Sequence, residues 1–222
     1  MTFSGSNDDN GEGRMTGGWK TEQEAFWSGA FGDDYVERNR GEAVAAARTH
    51  LFSNLLRRAG PVSSAIEFGP NVGLNLLALR RLIPAIELAG IEINATAVET
   101  LRGIDGVQVH HGSILERHAT RAFDLAIVCG VLIHIAPDAL PTVYDNLYAA
   151  SSRLILVAEY YNPTPVSVPY RGHAERLFKR DFAGEMLDRF PDLRLVDYGF
   201  QYHRDPNFPA DDVTWFVLEK RG

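Results

Sequence analysis

The sequence predicts an α/β fold: a mostly parallel sheet with helices on both faces. Strand-length runs, "SAIEF", "IELAGIEI", "VQVHH", "FDLAIVCGV" and "RLILVAEYY", alternate with segments of helical periodicity. That alternation is the signature of strand–helix–strand units and a sheet covered on both sides. Two further strand-like runs, "LRLVDYGFQY" and "DVTWFVLEK", then follow each other with no helix between them, which predicts an antiparallel closing pair.

Each element has its own justification. "TEQEAFWSGAFGDDYVERNRG" reads as one or two short amphipathic helices with Gly32 as the break. "EAVAAARTHLFSNLLRRAG" carries Ala, Leu and Phe at i, i+3, i+4 spacing and stops at Gly60. "LNLLALRRL" is a helix ended by Pro84, and "NATAVETLRG" a helix capped by Asn94 and stopped by Gly103. "PDALPTVYDNLYAAS" is a helix for which Asp138 is the expected cap, with Pro141 in its first turn. A proline-rich connection follows the fifth strand, and then the helix "RDFAGEMLDRF".

Composition bounds the function. At 222 residues and 45% hydrophobic content, one domain with one sizeable core is expected. A formal net charge of −7 argues against nucleic-acid binding, which needs a basic face. No apolar run approaches the length of a membrane span, and the N-terminus lacks the basic and apolar regions of a signal peptide. The single cysteine, Cys129, permits no intrachain disulfide and favours a reducing, cytoplasmic setting. Residues 1–18 are read as a disordered tail, with Met15 as a possible internal start, and 19–222 as the domain. The oligomeric state, monomer or dimer, stays open.

In such a sheet, ligands sit at the carboxyl ends of the strands where strand order reverses. Polar and small residues collect there: Glu67 and the turn "GPNVG", Glu92, Gly112-Ser113, and Cys129-Gly130. Gly69 and Gly73 let the backbone approach a ligand, and Asn71 between them is the residue that best tolerates left-handed backbone. Glu92, about twenty residues past the turn, is placed to accept from ribose hydroxyls. With Pro70, Ile93 and Ile114 beside them, these residues form the candidate cofactor set.

A dinucleotide needs G-x-G-x-x-G before a helix N-terminus to seat its pyrophosphate. This chain has Gly69-x-Asn71-x-Gly73 with an acidic residue two positions upstream. That carboxylate suits the cationic end of S-adenosylmethionine (AdoMet), which carries no phosphate. AdoMet fits better than NAD.

"EFGPNVG", "GIEI", "HHGSIL" and "FDLAIVCGVLIHI" resemble the motifs of class I AdoMet-dependent methyltransferases. The resemblance implies a Rossmann-like fold with a seven-stranded sheet. It also implies methyl transfer to a small-molecule acceptor. Ser113 departs from it, since an aspartate is common there, and so weakens the contact to the adenine amino group. "TEQEAFWSGAFGDDYVERN", "GVLIHI", "EYYNPTPVSVPYRGHAERLFKRDFAGEMLDRF" and "DDVTWF" further resemble the pseudaminic-acid-biosynthesis-associated methylases, which implies an acidic sugar or sugar-nucleotide acceptor.

Residues 160–180 are expected to cross the mouth of the cleft as an acceptor-site insertion. Tyr160, Tyr161, Asn162, Tyr170, Arg171, His173 and Arg180 gather there, a set suited to an anion with a sugar-like body. His134, just past the fourth strand, is the first candidate for a general base, with Tyr161 and His173 in reserve. Residues 19–60 are read as a helical lid in which Trp27 and Tyr35 face the acceptor and Arg38 pairs the methionine carboxylate. His203 and Arg204 flank a loop expected to close over the acceptor. His110, His111 and His118 lack helical metal-ligand spacing, so no metal is expected. A non-catalytic AdoMet-binding regulator or scaffold is the alternative.

Overall fold

The computed structural model describes residues 18–38, 41–116, 118–170 and 173–221, without the side chains of 37, 38 and 173–176. The strands of its main sheet are β1 (Ser64–Phe68), β2 (Glu87–Glu92), β3 (Val107–His111), β4 (Phe123–Cys129), β5 (Ser151–Glu159), β8 (Leu193–Phe200) and β9 (Thr214–Lys220). Among the described residues, these seven strands lie in the order β3-β2-β1-β4-β5-β9-β8. The first five are parallel; β9 runs antiparallel to β5 and to β8. Strand order reverses between β1 and β4.

Strand periodicity divides the core into two layers. Ile66 and Phe68 of β1 pack with Val143, Tyr144 and Leu147 of α6 (Leu140–Ala150) and Met186 of α7 (Phe182–Arg189). Ala65, Ile127 and Leu156 face the other way, onto Leu51, Phe52 and Leu55 of α3 (Glu42–Leu56) and Leu76 and Leu79 of α4 (Leu74–Leu82). Glu67 shares the parity of Ala65. Its carboxylate is therefore aimed at the layer of α3 and α4, not at α6.

Three local readings are corrected. The N-terminal helices α1 (Glu22–Ser28) and α2 (Ala30–Arg38) part at Gly29, not at Gly32. Gly32 lies inside α2, where any Cβ would overlap Trp27 O and Asn94. Helix α6 is capped one residue later than expected: its N-cap is Ala139, and Asp138 belongs to the preceding turn closed by Ala139 N–H to Ala136 O at 2.9 Å. The proline-rich connection contains an antiparallel pair, β6 (Val166–Tyr170) with β7 (His173–Lys179). Its alternating "VSVPY" was obscured by the prolines around it. The tail read over 1–18 lies outside the described residues, except Gly18.

Candidate functional site

The carboxyl ends of β1, β2, β4 and β5 open into a cavity of about 310 Å³, closed on its far side by α1 and α2. Its floor is the β1–α4 turn. Gly69 has φ 75° and donates to Ile91 O at 2.8 Å; a Cβ there would meet Val131 Cγ2 at 2.7 Å. Asn71, at φ 50°, is the non-glycine residue with positive φ among the described residues. Its side chain steadies the turn by accepting from Val72 N–H at 2.7 Å.

Glu67 is 1% exposed and accepts through Oε1 from Asn75 Nδ2 at 2.6 Å. Its other oxygen is buried with no protein partner. Burial pushes its carboxyl up to about 7, against the Asn75 hydrogen bond and the charge of Arg48. Asn75 comes from the first turn of α4 and Arg48 from the buried face of α3. Arg48 also stands 3.6 Å from the sulfur of Cys129, whose thiol burial pushes to about 11.

Glu92 ends β2 and is likewise buried. Oε2 accepts from Asn71 N–H at 2.8 Å and Oε1 from Asn94 N–H at 2.9 Å. Asn94 caps α5 (Ala95–Arg102) through Ala97 N–H at 2.9 Å. Its amide also donates to Trp27 O at 3.3 Å and Asp33 Oδ1 at 3.0 Å, and Thr96 adds a bond to the same Asp33 oxygen at 2.7 Å. One side chain thus ties the end of β2 to both N-terminal helices.

The opposite wall is aromatic. His134 closes a single 3₁₀ turn (Leu132–His134) and is 7% exposed. Its ring centroid lies 4.6 Å from that of Trp27 and 5.0 Å from that of Tyr170. Tyr35 stands edge-on to Trp27 at 5.3 Å. Beneath the 3₁₀ turn, buried Glu159 accepts from Val131 and Leu132 N–H, each at 2.9 Å, which fixes the turn. Burial raises its carboxyl to about 7 as well.

The structure brings most of the expected residues together. Glu67, Gly69, Pro70, Asn71, Glu92, Ile93, Ser113, Ile114, Cys129 and Gly130 line the cavity, as do Trp27, Tyr35, His134, Tyr160 and Tyr170. Gly73, at φ 82°, shapes the turn from behind, and Gly112 carries β3 out of the sheet by donating to Glu92 O at 2.9 Å. Tyr161 instead packs toward Phe216 at 6.0 Å and is 41% exposed. Asn162 caps its own turn at Thr164, Arg180 pairs with Glu185 at 2.6 Å, and His203 pairs with Asp212 at 2.9 Å. None of these is in the lining, nor is Arg204; the loop that holds His203 and Arg204 contributes Asp211. Arg171 lies outside the described residues, as do the side chains of Arg38 and His173.

Sequence reasoning missed Glu24, Arg48, Asn75 and Glu159. Two of them left a signal. Arg48 interrupts the apolar stripe Val44, Ala47, Leu51, Phe52, Leu55, where a cation is out of place unless it has a task. Glu159 ends an apolar strand run just as Glu67 and Glu92 do.

No family model matches the chain, and no curated protein sequence matches it. Solved structures do. Magnesium protoporphyrin IX methyltransferase from Synechocystis PCC 6803, with AdoMet bound, superposes at TM-score 0.65, 12% identity, over 90% of this chain and 98% of that one. The 1,6-didemethyltoxoflavin-N1-methyltransferase of Burkholderia thailandensis, with 1,6-didemethyltoxoflavin and S-adenosylhomocysteine bound, gives TM-score 0.65 and 15% identity over 90% and 87%. The plantazolicin methyltransferase BpumL, in complex with a pentazolic desmethylPZN analogue and S-adenosylhomocysteine, gives 0.62 and 11% over 90% and 95%. The chain has the Rossmann-like methyltransferase fold.

The residues present fit AdoMet. A buried carboxylate oxygen without a partner suits its α-amino group, and a second buried carboxylate at the end of β2 suits its ribose. The glycine at 69 leaves the floor open.

Proposed function

We propose that this chain is an AdoMet-dependent methyltransferase acting on a small molecule. The unpartnered Oε2 of Glu67, buried over a left-handed glycine turn, carries the reading: it is a costly group that an ammonium donor would satisfy. Glu67 would hold the α-amino group and Arg48 the α-carboxylate, the role first given to Arg38. Glu92 would hold the ribose. When bound, AdoMet supplies a sulfonium-activated methyl for in-line displacement.

His134 is the base we assign, accepting the acceptor's proton at a ring nitrogen while Trp27 and Tyr170 hold the ring in place. The aromatic faces of Trp27, Tyr35, Tyr160 and Tyr170 suit a flat or ring-shaped acceptor. An acidic sugar or sugar nucleotide is the acceptor class we favour, on the basis of Arg171 and the methylase resemblance. The lid role of residues 19–60 is supported by Trp27, Gly32 and Tyr35 lining the cavity.

Calorimetry with AdoMet, S-adenosylhomocysteine and NADH tests the cofactor assignment; heat from NADH alone would sink it. Labelled AdoMet with a panel of sugar nucleotides then tests transfer. Binding without transfer to any acceptor would point to the regulator or scaffold instead.

A further inference from the structure

Helix capping does not account for all of Glu24. Through Oε2 it accepts from Lys20 N–H at 2.7 Å, Thr21 N–H at 2.8 Å and Thr21 Oγ1 at 3.3 Å, and so closes the capping box of α1. Oε1 turns the other way and accepts from the hydroxyl of Ser113, just beyond β3. Glu24 is 5% exposed, and it lines the cavity beside Ser113, Ile114 and Leu115.

The hydroxyl of Ser113 is fully directed: it accepts from Leu115 N–H at 3.0 Å and gives its one proton to Glu24. It has no proton left for a ligand. Glu24 Oε1 retains a second lone pair. Around Glu24 the cavity is lined by the apolar Ile93, Ile114 and Leu115 and by the amides of Gln23 and Asn94, and Glu24 Oε1 adds a carboxylate oxygen able to accept. Such a lining suits a flat base that carries an amino group on its edge.

We propose that Glu24 reads the exocyclic amine of the adenine ring, with Ser113 as the group that orients it. The carboxylate lacking from the strand end at position 113 is thus supplied by the N-terminal helix. The proposal rests on the AdoMet reading above and deepens it.

The test is titration of the full chain with S-adenosylhomocysteine and with S-inosylhomocysteine, whose 6-oxo group replaces the amine. The native protein is expected to prefer the adenosyl compound by about 100-fold, since a site built for an N–H rejects its replacement. Glu24→Gln keeps the capping box, for which glutamine also serves, and lowers that preference below about fivefold. Adding Ser113→Asp to Glu24→Gln returns a carboxylate from the strand and recovers about tenfold of it. A purely structural Glu24 would weaken both ligands equally, with no rescue by Ser113→Asp; that pattern, or an unchanged preference in Glu24→Gln, overturns the proposal. A native protein that binds neither nucleoside overturns the AdoMet reading itself.

Discussion

The wall of the cavity made by β1, β2 and β3 and the wall made by β4, α1, α2 and β6 are built by different means. On the first, the groups come from short consecutive segments: Glu67 to Gly73 is one strand end and its turn, and Glu92 to Asn94 another. Backbone does much of the work there, through Gly69, Asn71 N–H and Asn94 N–H. On the second, Trp27, His134 and Tyr170 come from three parts of the chain far apart in sequence, and they meet through side chains alone. Local backbone tolerates little change, whereas a convergence of side chains can be re-cut one residue at a time. The first wall suits the proposed cofactor, and the second the proposed acceptor.

Breaking the backbone-built wall should have the largest effect. Gly69→Val places a branched side chain at φ 75° and against Val131. Loss of S-adenosylhomocysteine affinity beyond ~100-fold is expected by calorimetry, with a stability loss of about 2–5 kcal/mol by denaturant titration. Breaking the side-chain wall should separate chemistry from cofactor binding. His134→Ala is expected to slow transfer to a proton-bearing acceptor by about 10²-fold or more, while S-adenosylhomocysteine affinity stays within about twofold. Equal loss of both would show that the two walls are not separable.

Glu92→Gln keeps the shape of β2's end and removes its charge. A 10- to 100-fold rise in Kd is expected, on the order of the worth of hydrogen bonds to a charged group.

The pH response sharpens the comparison further. Glu67 and Glu159 have folded values near 7, above the ordinary 4.5, because burial disfavours their charged forms. Their contribution to stability is therefore fully present below 4.5 and lost as pH rises through 7. The melting temperature of the unliganded protein should fall across that window, and Glu67→Gln should flatten part of the fall. Cofactor affinity should run the other way, rising towards pH 7 as Glu67 ionises to meet an ammonium. Calorimetry at pH 5.5 and 7.5 checks the sign. The smallest effect is expected at Arg180→Ala, which breaks a partly exposed ion pair with Glu185 away from the cavity: under ~1 kcal/mol of stability and no change in binding.

The sequence made much of both walls legible, Glu67 and Glu92 on the first and Trp27, His134 and Tyr170 on the second, and hid the groups that steady them, for physical reasons. A strand buried on both faces must be apolar, so a carboxylate at its end stands out, and Glu67 and Glu92 did. The periods of 2 and 3.6 also located the strands of the main sheet. Convergence of distant segments has no such local mark. Arg48 breaks the apolar stripe of its helix but nothing local says what it faces, and the spacing Thr21-x-x-Glu24 fits a capping box without any mark of the distant Ser113. Around "YYNPTP", cation and tyrosine content suggested a binding insert. Tyr160 and Tyr170 do reach the cavity, but Tyr161, Asn162 and Arg180 spend their groups on neighbours outside it. Composition shows what a segment holds, not which way each side chain turns.

Asn94 joins the end of β2 to Trp27 and Asp33 on the paired helices. If the proposed cofactor does sit in this cavity, any swing of those helices wide enough to free it would also carry Trp27 away from His134, so that entry and exit would share a single door.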